Sequence, residues 1–237
     1  MLYFPESDRK NLNHIKNDVS YWHKPMGAIL QVSEKTKKEG VNSITKASND
    51  VNEIYIGSLF LLVLSEAENK TFWITKTKQD PPDFIFMTIK KEGNGTYFSS
   101  REVEVTRNVK KIDELEKTIL NKDKFYPKDT IILCHVETPG FLDLKKLSDT
   151  LKNKIKNVQS VFVIFTGGML SDDLMDIGKT IDVVQLLPNY IKYSSRIDII
   201  EEVKKWSEND EKLIYTKGNE IFWGLRDGAE CYPNIFA

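Results

Sequence analysis

The run Thr130–Val136 (TIILCHV) constrains the fold more than any other stretch of the chain. A continuous apolar run of this length describes a strand covered on both faces, as in a sheet flanked by helices. A second such run, Ser160–Phe165 (SVFVIF), follows a helical segment at Leu142–Lys156. Strand, helix and strand then form a βαβ unit, which calls for parallel pairing and a right-handed crossover.

Upstream, Ser48, Asn49 or Asp50 can cap a helix over about 49 to 68. Its apolar positions Val51, Ile54, Tyr55, Leu59, Leu62 and Val63 recur at spacings of three and four. So apolar a helix is buried on more than one side. Three β-rich runs follow, Thr71–Thr77, Asp83–Ile89 and Tyr97–Arg107, punctuated by Asp80-Pro81-Pro82 and by Glu92-Gly93-Asn94-Gly95. Asn-Gly between two such runs is a hairpin signal, so an antiparallel meander is expected. Lys110–Asn121 reads as a helix, Thr180–Leu187 as a strand and Ser195–Asn209 as a helix, with Lys212–Tyr215 and Ile221–Leu225 as a closing strand pair. The fold class is α/β, a mixed sheet with helices on both faces. Residues 1–46, polar apart from the island Tyr21–Val32, read as an N-terminal helical arm or extension, and residues 47–237 as one α/β domain.

Composition bears on partners. With 34 Lys+Arg against 35 Asp+Glu the net charge is -1, and 40% of residues are hydrophobic, which excludes a disordered tail or a histone-like basic protein. A local basic groove can still grip a phosphate backbone. The longest apolar run, Ile54–Leu64, is interrupted by Gly57 and Ser58 and is too short to span a bilayer, which takes about 20 residues. The N-terminus has no apolar signal-peptide core, and Cys134 and Cys231 fit no zinc spacing, so a cytoplasmic protein with reduced thiols and no membrane partner is expected.

The hairpin carries the chemistry. A turn centred between Gly93 and Asn94 puts Asp83 opposite Glu104, and directly opposed residues share a face with Cβ atoms about 5 Å apart. Alternation adds Glu102 and Thr106 to that face and sends Phe84, Phe86, Val103 and Val105 to the other. Adjacent carboxylates repel unless a proton or a cation neutralises them. Two acids and a backbone carbonyl suit a hard divalent ion such as magnesium, which polarises phosphoryl oxygens and acidifies bound water. The alternative is that Glu102 and Glu104 are solvated positions of an edge strand and that Asp83 merely follows a turn.

Asp80-Pro81-Pro82-Asp83-Phe84 followed by Glu102-Val103-Glu104-Val105-Thr106 resembles the PD-(D/E)XK nuclease superfamily, which has the restriction-endonuclease fold. The resemblance covers about 90 residues and includes the order helix, three-strand meander, helix, strand. It implies Asp83 and Glu104 as magnesium or manganese ligands, with Glu53, or less aptly Glu66, as the helix acid, and DNA as the partner; a homodimer is compatible with it. The lysine expected at 106 is replaced by Thr106, giving a Glu-Val-Thr variant in which Lys76, Lys78 and Arg107 are candidates for a displaced positive charge. The expected function is a metal-dependent nuclease-like protein that hydrolyses or recognises DNA through Asp83, Glu104, Glu53 and Thr106. The alternative is an inactive nuclease-fold module that binds protein or nucleic acid. A third reading, a small-molecule enzyme with a pocket near Thr166–Gly168, has no polar constellation to support it. His135, Trp73, Trp206, Phe222 and Trp223 read as structural, and Lys152, Lys154 and Lys156 as a solvated helix face.

Overall fold

The computed structural model describes residues 19–41, 44–77, 81–92, 95–107, 112–136, 143–167, 180–198, 201–202, 213–217, 220–224 and 235–236. Its main feature is a seven-stranded mixed sheet whose strands lie in chain order: β2 (Phe72–Lys76), β3 (Phe84–Glu92), β4 (Gly95–Thr106), β5 (Ile131–Val136), β6 (Ser160–Gly167), β7 (Thr180–Leu187) and β8 (Ile191–Arg196). Pairing is antiparallel from β2 to β4, parallel from β4 to β6 and antiparallel again from β6 to β8. The helices are α1 (Pro25–Lys38), α2 (Asn49–Glu68), α3 (Ile112–Asp123) and α4 (Leu144–Lys154).

The hairpin β3–β4 pairs Phe84 with Val103 and Glu92 with Gly95, the register that the Asn-Gly turn predicts. On one face of the sheet Phe84, Val103, Val105, Leu133 and Phe162 pack against Ile54, Leu61 and Leu64 of α2. Met26, Ile29 and Val32 of α1 join the same core, so the segment read as an arm contributes directly to it. On the other face Ile132, Cys134, Val161 and Val163 meet Leu115 and Ile119 of α3 and Leu144, Leu147 and Leu151 of α4. The two crossover helices therefore cover one side and α2 the other, which is why β5 has no polar alternation.

A second sheet of three strands joins the two ends of the chain: β1 (Val19–Trp22), β9 (Leu213–Lys217) and β10 (Glu220–Gly224), with β9 in the middle. Beyond β1, backbone hydrogen bonds between His23 and Ile74 (2.8 and 2.9 Å) tie it to the edge strand β2. Two expectations change. β1 is a strand at the head of the segment read as helical, and Ser195 and Arg196 end strand β8 where a helix was expected to begin; Glu201 and Glu202 are helical, and residues 199–200 and 203–209 lie outside the described residues.

α2 approaches β3 closely at Gly57. A Cβ there would fall 2.6 Å from Cε1 and Cζ of the fully buried Phe84. Gly57→Ala is therefore expected to cost about 2 kcal/mol in a denaturant melt, because ring and helix must separate. An unchanged midpoint would show that the Phe84 ring yields freely. Phe84 follows Asp83 directly, so this contact also sets the height of the strand end that carries the first acid.

Candidate functional site

The start of β3 is fixed by hydrogen bonds at Pro82 and at Asp83. The Thr77 hydroxyl donates to the Pro82 carbonyl, and the Asp83 N–H donates to the Val103 carbonyl at 3.1 Å. The Asp83 side chain then reaches along β4, where Oδ2 accepts the Val105 N–H at 2.6 Å. Asp83 is thus clamped across the hairpin beside Glu104, as the register requires.

Glu104 pairs in register with Ile132 and so faces α3, where it is only 7% exposed. An interior strand holds it, since β4 lies between β3 and β5, and the edge-strand alternative fails for this residue. Its Oε1 accepts from the ammonium of Lys122 in the last turn of α3. Its Oε2 is buried with no hydrogen-bond partner among the described residues, and the Thr106 hydroxyl on the same face has none either.

Burial pushes the Asp83 carboxyl up to about 7, against the pull of the Val105 N–H; the negative charges of Glu104 and then Glu53 add to the rise, and Lys122 opposes it. The three predicted acids are therefore electrostatic neighbours. Glu53, on α2, approaches from the opposite face of the sheet, with its Oε1 3.9 Å from Nη2 of Arg107. The same nitrogen donates to Asn49 Oδ1 at 2.6 Å.

Glu66 does not belong to this group. It lies thirteen residues along α2 from Glu53, about 20 Å by helical rise, and accepts the Ser195 hydroxyl on β8. Of the cations considered for the place of the missing lysine, Lys76 is paired with Asp50, Arg107 serves Asn49 and Glu53, and Lys78 lies outside the described residues. The cation that reaches the β4 acid is Lys122. Its signal in the sequence is a lysine on the apolar stripe of an amphipathic helix, three positions after Ile119 and seven after Leu115, both fully buried.

Comparison with models of protein families, with curated proteins and with solved structures gives no match. The site must therefore be judged by its own chemistry.

Among the described residues no group of three or more His, Cys, Asp and Glu side chains has the arrangement of a metal centre. What the site offers is a pair of carboxylates, one desolvated and one with a buried oxygen that lacks a donor. Lys122 meets one oxygen of Glu104; the other, together with the Asp83 carboxyl, gives the oxygen donors that a hard divalent ion takes, with water and main-chain oxygen left to complete its shell. His135 stands apart, on the α2 side of β5. Burial, with Arg107 adding to it, holds its imidazole down at about 4, hence neutral, and Nε2 lies 3.2 Å from the Thr166 hydroxyl. Cys134 is buried with its thiol pushed up to about 12, so it is no nucleophile. Cys231 lies outside the described residues. Trp73 is buried, and Lys152, Lys154 and Lys156 are exposed. No helix among the described residues is long and apolar enough to cross a membrane.

Proposed function

We propose that this chain is a metal-dependent nuclease-like protein that acts on DNA through Asp83 and Glu104. The observation that carries this reading is the buried, donor-less Oε2 of Glu104 beside the desolvated carboxyl of Asp83. The element order from α2 to β5, a helix, three antiparallel strands, a helix and a parallel strand, supports it, since the resemblance implies that order.

In this reading Asp83 and Glu104 hold magnesium or manganese. When bound, the ion would neutralise charge on the phosphoryl oxygens and lower the pKa of a water molecule. The chain's own residues do the rest. The Val105 N–H orients the Asp83 carboxylate, and Lys122 holds Glu104 by one oxygen and leaves the other free. The Lys122 ammonium also offers N–H donors to an attacking water or to the developing charge, the task for which Thr106 has no cation. Glu53, restrained by Arg107, adds negative charge that favours a bound cation at Asp83.

The Lys122–Glu104 contact also favours a second reading. An acid already paired with a lysine is neutral as a unit, and the fold would then serve as a binding module without catalysis. A calorimetric titration with magnesium or manganese separates the two. The active-site reading expects saturable binding by the wild type and affinity weakened by about a hundredfold in Glu104→Gln. A wild type that takes up neither ion supports the module.

A further inference from the structure

Phe125 is 81% exposed, against 37% for Tyr21, the other large hydrophobic side chain exposed among the described residues. Such a ring forgoes the gain of burial and stands open to a partner. The display is fixed by the backbone. The N–H groups of Phe125 and Tyr126 both donate to the Lys122 carbonyl, at 2.9 and 3.1 Å, in a turn that closes α3. Just before the ring, the Asp123 carboxylate accepts the N–H groups of Lys156, Asn157 and Val158 (3.1, 2.9 and 2.7 Å), which pins the turn to the segment between α4 and β6.

The surroundings are cationic. Lys124 and Lys128 are exposed on either side, and Lys124 has the neutral Asn121 at 3.3 Å. The one acid between Lys122 and Lys128, Asp123, is taken up by the backbone bonds just named. The turn also leads straight into the carboxylate site: Lys122, whose carbonyl anchors Phe125, meets Glu104 with its ammonium and lies 5.4 Å over the Tyr126 ring. Protein–protein interfaces are depleted in lysine relative to the rest of the surface. An exposed aromatic face among cations is the combination that holds a single nucleic-acid strand, ring on base and ammonium on phosphate.

We infer that Phe125 is the platform on which an unpaired nucleobase stacks, beside the turn that leads through Lys122 to the carboxylate site. This rests on the nuclease-like reading and gives it a substrate class, a single strand or a locally opened duplex. In an intact duplex both faces of each base are covered by its neighbours, and the ring finds nothing to stack on.

The test is binding of short fluorescent oligonucleotides, single-stranded and duplex, followed by anisotropy in a chelator so that no cleavage intervenes. Phe125→Ala is expected to weaken single-strand binding about tenfold, to leave duplex binding and the melting temperature unchanged, and Phe125→Trp to bind like the wild type with added quenching of tryptophan emission. Equal single-strand affinity in Phe125→Ala overturns the inference, and so does a wild type that binds neither oligonucleotide. Self-association of the wild type that Phe125→Ala abolishes, with oligonucleotide binding intact, overturns it in favour of a protein contact. The nuclease-like reading fails separately: if the wild type never cleaves yet binding depends on Phe125, stacking stands and catalysis falls.

Discussion

Asp83→Ala is expected to lower magnesium-dependent DNA cleavage by about 10³-fold or more, since it removes one of two acids on which the proposed chemistry rests. Retained cutting by this variant would sink the assignment. The change takes the acceptor from the Val105 N–H but also removes a desolvated carboxyl from beside Glu104 and Glu53, so the two effects on the fold offset one another. In the metal-free protein the same carboxyl makes stability depend on pH. Its folded pKa of about 7 lies above the ordinary 3.8, so between those values the folded state binds more protons than the unfolded chain. Stability contributed by this group is therefore present at low pH and lost as pH rises toward and through about 7. Asp83→Asn has no such group. In a chelator its melting temperature is expected to gain on the wild type by about 5 °C from acid to mildly alkaline pH. Parallel pH profiles for the two proteins would refute the perturbation. Cleavage should show the opposite trend and rise with pH as the carboxylate forms, because the ionised form binds a cation.

Lys122→Met is expected to be the most destabilising single change at the site, at about 3 kcal/mol or roughly 10 °C. The wild-type carboxylate of Glu104 has one partnered and one orphan oxygen, both in the shelter of α3. Without the ammonium it becomes an uncompensated buried charge. Lys122→Met combined with Glu104→Gln is expected to recover most of the loss, because the charge that needs a partner is gone. Magnesium supplies the decisive comparison. If an ion binds where we propose, adding it at millimolar concentration raises the melting temperature of Lys122→Met more than that of the wild type, by replacing the missing positive charge. Recovery in the double variant without rescue by magnesium would mark the pair as a structural salt bridge and favour the non-catalytic module.

The parts of the site carried by the hairpin were legible in the sequence because they depend on local rules. Asn-Gly fixes the turn, the turn fixes the register, and a period of two then brings Asp83 and Glu104 to one face. Whether that face is wet or dry was not legible. It depends on β5 docking in parallel along β4 and on α3 folding over both, and these are contacts between distant segments. Lys122 was missed for the same reason, although its place on the stripe of Leu115 and Ile119 marked it as a charge turned inward. The resemblance favours Glu53 over Glu66 as the helix acid, and distance along α2 separates the two. Strand β8 (IKYSSR) escaped notice because its outward positions, Lys192, Ser194 and Arg196, are polar as befits a sheet edge. β1 was hidden by its partner, which lies almost two hundred residues away at Lys217.

The order of strands in the large sheet has a consequence for how the molecule is assembled. Every pairing from β2 to β8 joins neighbours in the chain, so the sheet can grow by short steps of low entropic cost. All the acids and the lysine of the site, from Glu53 on α2 to Lys122 on α3, lie in the stretch that runs from α2 through β4 to α3. The small sheet is of the other kind, since Val19 must find Lys217. It acts as a clasp between stretches nearly two hundred positions apart in the chain, and none of the residues named for the site lies on it. Chemistry and closure are thus written into separate stretches of the chain.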